Sequence, residues 1–344
     1  MTVSGGNEEG AGTEPGLRDG TTQETESPLA HEVEFPPVEN GVDYLNSACD
    51  NLSLGTPTPR MLKYAVLHLQ AAAEVLLKAR LRQEHWSLVL KDPGTAKHEK
   101  FDAGDFESCT TTAAIARLKD IAGVAIDDKS TKSLAILSKW RNSLQHYGLR
   151  AQARAIETRA AQVLDFLVAF AFDELLPALP DQEQTELRED LVDVSRKVRG
   201  INAYIDTRLA RLGDELKDAR DRTLRCPECD QWALVIGDGS EVIDCRFCHA
   251  LYYGADQAIF HWALVWTQQD TIDFAKCPEC DETRLPLTGL RVLAAPDEER
   301  FLCGHCGTHF DAIELCYSCG TPYPPGEDDL GLCSDCFGAH YAKF

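Results

Sequence analysis

Twelve of the fourteen cysteines stand in six Cys-x-x-Cys pairs: Cys226/Cys229, Cys245/Cys248, Cys277/Cys280, Cys303/Cys306, Cys316/Cys319 and Cys333/Cys336. All six lie between residue 226 and the end of a 344-residue chain. Two residues between thiols let one tight turn aim both sulfurs at a single point, and two such turns complete a tetrahedral four-thiolate zinc site. Six pairs fit three zinc ions with no cysteine left over. Disulfides need an oxidising compartment, and the N-terminal stretch MTVSGGNEEGAGTEPG lacks the basic flank and apolar run of a secretory signal. Iron–sulfur clusters are the remaining reading of paired cysteines.

Pairing neighbours in order gives three β-rich zinc ribbons, over 226–270, 271–310 and 311–344, with 15, 22 and 13 residues between the pairs. Cross-bracing is the alternative: Cys277/Cys280 with Cys316/Cys319, and Cys303/Cys306 with Cys333/Cys336. Spacing leaves both open, although the repeat of CPECD at 226–230 and 277–281 favours units that each begin alike. Four thiolates close the shell, so the ions are expected to be structural, with no catalytic metal. His249, His305 and His309 lie nearby, but complete shells do not need them. Each site contributes on the order of 10 kcal/mol of folding free energy, which suits a region read here as too sparse in apolar residues to fold on a core alone. Cys49 and Cys109 have no partner in sequence and are expected as buried small apolar residues.

Charge divides the chain. The total is −22. Residues 226–344 hold 6 lysines and arginines against 20 aspartates and glutamates, whereas residues 60–150 hold 15 against 10. Filled four-thiolate sites deepen the negative end. The zinc array is therefore a poor phosphate binder, and a protein partner is the expected ligand of the ribbons. No apolar run approaches the roughly 20 residues a membrane helix needs; a cytoplasmic protein with no membrane partner is expected. Residues 1–35, rich in Gly, Glu, Thr and Pro, read as a disordered acidic tail.

The segment 36–180 reads as an all-α bundle. Thr58 and Pro59 start a helix over 58–84, with Leu62, Ala65, Leu69, Ala72, Leu76 and Ala79 on one face. Further helices are expected at 111–122, from Asp127 to Gly148, and over 151–178. In 181–225, Leu187, Leu191, Val194, Val198, Ile201 and Ile205 form a heptad seam with a stutter before Leu209. This predicts a long connecting helix, packed back on the bundle or dimerised.

The helix ending at Gly148 carries KWRNSLQHYG. Asn142 and His146, four apart, share a face; Arg141 can lean toward it, while Leu137, Trp140 and Leu144 point to the core. The bland reading is a helix C-terminus finished by His, Tyr and Gly. RNSLQH, however, resembles the R-x-x-x-x-H motif of the HEPN (higher eukaryotes and prokaryotes nucleotide-binding) superfamily. AVLHLQAAAEVLLKARLRQEHW, with Glu74 and Lys78, resembles the first long helix of its bacterial members. The resemblance covers roughly residues 40–175. It departs from the family's toxins at Tyr147, which follows His146 directly rather than one residue later.

The resemblance implies metal-independent endoribonuclease activity at a site shared by two subunits of a homodimer. His146 would act as general base on a ribose 2′-OH, Arg141 would hold the phosphate, and Asn142 would orient either. RNA would be the substrate of the helical domain, in stress response or defence. The rival readings are a non-catalytic HEPN-type binding scaffold and, for cross-braced cysteines, a protein-modification adaptor. For Glu74 and Lys78 an ordinary i, i+4 salt bridge is the simpler expectation.

Overall fold

Helix α2 (Pro59–Glu84) organises the first half of the molecule in a computed structural model that describes residues 34–53, 55–326 and 330–341. The Thr58 hydroxyl accepts the Met61 N–H at its start (3.3 Å), and Pro59 occupies the first turn. Leu62, Ala65, Leu69, Ala72, Leu76 and Leu77 are fully buried. α2 packs against α1 (Pro37–Leu52) on one side. There Gly41 permits close approach, since a Cβ at that position would lie 2.5 Å from Leu76 Cδ2. After the short α3 (His98–Asp102), three helices complete the bundle around α2: α4 (Thr111–Asp120), α5 (Asp128–His146) and α6 (Ala153–Phe170). Thr110 and Asp127 cap α4 and α5 through their side-chain oxygens. Among the described residues, no helix is long and apolar enough to cross a membrane. Residues 1–33, nearly all of the expected acidic tail, lie outside the described residues.

The heptad segment is helical but divided. α7 (Asp181–Val198) and α8 (Asn202–Asp218) are separated at Gly200, where 3₁₀-type bonds from Gly200 N–H to Lys197 O and from Ile201 N–H to Val198 O replace the helical ladder. The expected single helix is corrected here: glycine weakens the helix, and the break keeps Ile201 buried. Leu187, Leu191, Val194 and Val198 pack inward, with α7 against α1 and α8 against α6. Within α8 the buried row is Tyr204, Arg208, Leu212 and Leu216, while Ile205 and Leu209 are half-buried beside it.

Short antiparallel strands follow. β1 (Thr223–Arg225), β2 (Trp232–Val235), β3 (Val242–Asp244) and β4 (Leu251–Tyr253) lead into α9 (Ala255–Trp266). Next come β5 (Phe274–Ala275), β6 (Leu285–Pro286), β7 (Leu290–Val292), β8 (Ala295–Leu302) and β9 (His309–Phe310). β10 (Glu314–Leu315), β11 (Pro322–Tyr323) and α10 (Ser334–Tyr341) end the described chain. β7 pairs with β1, so one five-stranded sheet, in the order β2-β1-β7-β8-β9, runs through the first two cysteine modules. Gly237 and Gly307 meet where these modules touch; a Cβ on Gly237 would lie 2.5 Å from Gly307 Cα.

The first cysteine module is not poor in core, contrary to expectation. Leu224, Leu234, Ile236, Phe247, Ile259 and Trp262 are buried in the same hydrophobic cluster as the helices. That cluster is continuous because Phe247, between two cysteines, packs edge-on against Tyr204 of α8 (5.8 Å, 88°).

Candidate metal centres and a polar helix end

Five of the six Cys-x-x-Cys turns share one backbone geometry. The first cysteine's N–H donates to the carbonyl five residues on, at Gln231, Ala250, Glu282, Thr308 and Thr321. Its own carbonyl accepts the N–H four residues on, at Asp230, His249, Asp281, Gly307 and Gly320. Those last five residues all have positive φ, between 58° and 73°. The left-handed residue reverses the chain, so that each turn closes a hairpin: β1–β2, β3–β4, β5–β6, β8–β9 and β10–β11. Glycine meets that demand without strain in two turns; aspartate and histidine tolerate it in the others. The sixth pair differs. Cys333 immediately precedes α10 and Cys336 lies in its first turn, with Phe337 N–H bonded to Cys333 O.

The turns combine in sequence order. Cys226, Cys229, Cys245 and Cys248 form one group; Cys277, Cys280, Cys303 and Cys306 a second; Cys316, Cys319, Cys333 and Cys336 a third. Cross-bracing does not occur. The nearest sulfurs of facing pairs are 3.7–3.9 Å apart in all three groups. Tetrahedral zinc with Zn–S of about 2.3 Å requires S···S of about 3.8 Å. The donor sets therefore fit one tetrahedral ion each, whereas disulfide sulfurs would be at bonding distance. These three groups are consistent with three structural zinc ions. Outer hydrogen bonds support the thiolates: the Thr308 hydroxyl reaches Cys306 Sγ (3.3 Å), and the Thr321 hydroxyl reaches Cys319 Sγ (3.2 Å). Four sulfurs leave no open position for water or substrate.

The first group is built into the helical layers. Its cysteines are all buried, and His249 stacks on Phe172 (4.1 Å, 11°), in a π-helical turn that follows α6. Burial, and then the Arg208 charge, push His249 down to about 3. The neutral ring accepts a hydrogen bond at Nε2 from Arg208 Nη2 (2.9 Å). Arg208 also donates to Arg246 O and pairs with buried Asp165 of α6 (3.5 Å). The third group is open by comparison: Cys319 is exposed and Cys336 half-buried. Cys49 and Cys109 are buried in the helical half, and burial pushes the Cys49 thiol up to about 12.

The polar trio lies on the last turns of α5. Leu137 is buried, and Trp140 and Leu144 pack against the core. On the other side, Arg141 Nη1 donates to Asn142 Oδ1 (3.1 Å) and Gln145 Oε1 (3.2 Å). Arg141 Nη2 reaches Glu74 Oε2 on α2 (3.4 Å). The i, i+4 pair of Glu74 with Lys78 is present (2.6 Å), and Lys78 also donates to Ser108 (2.8 Å). Glu74 therefore bridges two cations, a cross-helix role that spacing along one helix does not reveal. Asn142 and His146 are exposed one turn apart, and Tyr147 is 82% exposed at the tip. Among the described residues the His146 side chain has no hydrogen bond or ion pair, so side-chain bonds join Arg141 to Asn142 but neither to His146. Lys139, Arg150 and Arg154, exposed around this helix end, are free of ion pairs among the described residues.

No protein-family model matches this chain, and neither the curated proteins nor the solved structures contain a significant match to it.

Proposed function

We propose that the helical half is a metal-independent endoribonuclease of HEPN type, working as a homodimer, and that the acidic zinc modules recruit a protein partner. The observation that carries this reading is the end of α5, where Asn142 and His146 stand exposed beside a half-buried Arg141 on a helix whose other face is core. Glu74 and Gln145 hold the Arg141 guanidinium from two sides, so it can meet a phosphate without losing much rotamer freedom. His146 accepts the proton of a ribose 2′-OH. The oxygen attacks the adjacent phosphorus, and the 5′-oxygen departs and takes a proton from solvent, leaving a 2′,3′-cyclic phosphate and a 5′-hydroxyl; His146 then returns its proton to water. Arg141 offsets the charge that grows on the phosphoryl oxygens. Lys139, Arg150 and Arg154, free of ion pairs among the described residues, suit a polyanion. Asn142 and His146 are open to solvent at the helix end, so a second copy is needed to close a cleft around the scissile bond.

The test is cleavage of single-stranded RNA by the zinc-loaded protein in magnesium-free buffer. The wild type yields 2′,3′-cyclic phosphate ends, and His146→Ala and Arg141→Ala each lower the rate by about 10²–10⁴-fold. RNA left intact by a folded dimer sinks the enzymatic reading in favour of a non-catalytic binding scaffold. Cleavage that survives both substitutions shows that another site, or another protein, is responsible.

A further inference from the structure

Helix α9 carries apolar residues on its outer arc as well as its inner one, with Gln257 and His261 among them. At about 100° per residue, Ala255, Ala258, Ile259, Trp262 and Ala263 point to one side, and all five are buried. Phe260, His261, Leu264 and Val265 share the opposite arc. Phe260 and His261 are half-buried, while Leu264 and Val265 are each 48% exposed. β4 runs into α9 through Gly254, and the Tyr253 N–H donates to Gln257 Oε1. In the β3–β4 hairpin Tyr253 pairs directly with Val242; they are 73% and 50% exposed. A surface helix normally turns a polar face to water. Exposed apolar residues on the outer arc of α9, with the β3–β4 hairpin packed against the same helix, mark an interaction site.

The surrounding charge selects the occupant. All five lysines and arginines among the described residues of 226–341 are already in ion pairs. Arg246 pairs with Glu215 and Asp244, Lys276 with Asp281, Arg284 with Asp256, Arg291 with Glu299, and Arg300 with Glu298. Glu241, next to Val242, and Asp270, beyond the end of α9, are exposed and have no basic partner among the described residues. A second copy would bring the same acidic surround and be repelled. A helix of 12 residues offers three turns of contact to another helix.

We infer that the outer face of α9, with the β3–β4 hairpin, docks a basic amphipathic helix of a protein partner. The inference deepens the partner-recruiting part of the proposed function and is independent of RNA cleavage.

The experiment uses full-length, zinc-loaded protein and a labelled Leu/Lys peptide of about 18 residues, patterned as an amphipathic helix, with a Leu/Glu peptide of the same pattern as control. Fluorescence anisotropy should show the Leu/Lys peptide binding and the Leu/Glu peptide not. Leu264→Ser/Val265→Ser, which alters no charge, should weaken binding by about tenfold or more, with RNA cleavage unchanged. If the peptide binds equally well to this variant but is lost when Tyr317, 88% exposed in the third module, is changed (Tyr317→Ser), the zinc modules still recruit a basic partner and the placement on α9 is wrong. If no basic peptide binds the loaded protein, the partner-recruiting reading fails with it. A wild-type dimer that the double substitution dissociates assigns the face to a second copy and overturns the inference.

Discussion

Asp165 is 3% exposed in the middle of α6, facing Arg208 (3.5 Å) and Arg211 (3.3 Å) of α8. Burial pushes its carboxyl up from 3.8 to about 6, while the Arg208 charge pulls in the opposite direction. Between about pH 4 and pH 6 the folded chain therefore holds a proton that the unfolded chain has released. The stability contributed by this group declines as pH rises through that window and is flat above it. The check is a comparison of urea midpoints for wild type and Asp165→Asn. Thiolate protonation at low pH affects both proteins and cancels in the difference. From pH 4 to pH 6 the difference should move against the wild type and then level off; movement in its favour would refute the assignment. Nothing in the local sequence marks Asp165, which lies in an otherwise apolar run from Val163 to Phe170. Its partner is 43 positions away, and only the packing of α6 on α8 makes it a buried ion pair. The Glu74–Arg141 bridge escapes the sequence for the same reason. The end of α5 is legible because Asn142, His146 and the opposing Leu137 follow helical spacing within one element.

Among the elements, those with uninterrupted periodicity could be read in advance. α2 and α5 start at Thr58 and Asp127 as the sequence indicates, α4 starts at the expected position, and α7 buries the leucine and valine positions of its heptads. α1 goes unread because Asn40-Gly41 interrupts a stripe that otherwise runs through Val42, Leu45, Ala48 and Leu52. α9 goes unread because an apolar run among cysteine pairs resembles a strand, and because both its arcs carry apolar residues. The same two glycines show why residue type alone does not decide an element's fate. Gly200 separates α7 from α8 without positive φ, and an added Cβ would come no closer than 3.6 Å to Lys197 O. Gly200→Ala is therefore expected to stabilise the fold by about 0.4–1 kcal/mol by restricting the unfolded chain. Gly41→Ala drives a methyl into buried Leu76 and is expected to cost about 1–3 kcal/mol. Chemical denaturation of the two variants checks both signs; a destabilised Gly200→Ala would mean the break between α7 and α8 needs glycine itself.

At the scale of the whole molecule, the three zinc groups differ in how much of the fold depends on each. The first is wholly buried, and Phe247 and His249 from its second turn are inserted among Tyr204, Phe172 and Arg208 of the helical layers. The second shares the five-stranded sheet with the first and has its own small cluster around Leu285. The third has its two turns on a two-stranded hairpin and a short helix, with Cys319 exposed. A chelator reaches exposed thiolates first, so zinc should leave in the order third, second, first, with about three ions released per chain. Far-UV circular dichroism followed during chelation should hold nearly steady through the first two losses and fall with the last. Substitution separates the sites directly. Cys319→Ser should lower the zinc content to about two per chain and leave the helical melt where it was. Cys245→Ser should lower the melting temperature of the helices themselves, because the turn carrying Phe247 and His249 loses its metal anchor. RNA cleavage should follow the same division, surviving Cys319→Ser and declining with Cys245→Ser as α6 and α8 loosen behind the end of α5. A helical melt indifferent to Cys245→Ser would mean that the packing of Tyr204 and Phe247 holds without zinc, and that the first module is only attached to the bundle rather than part of it.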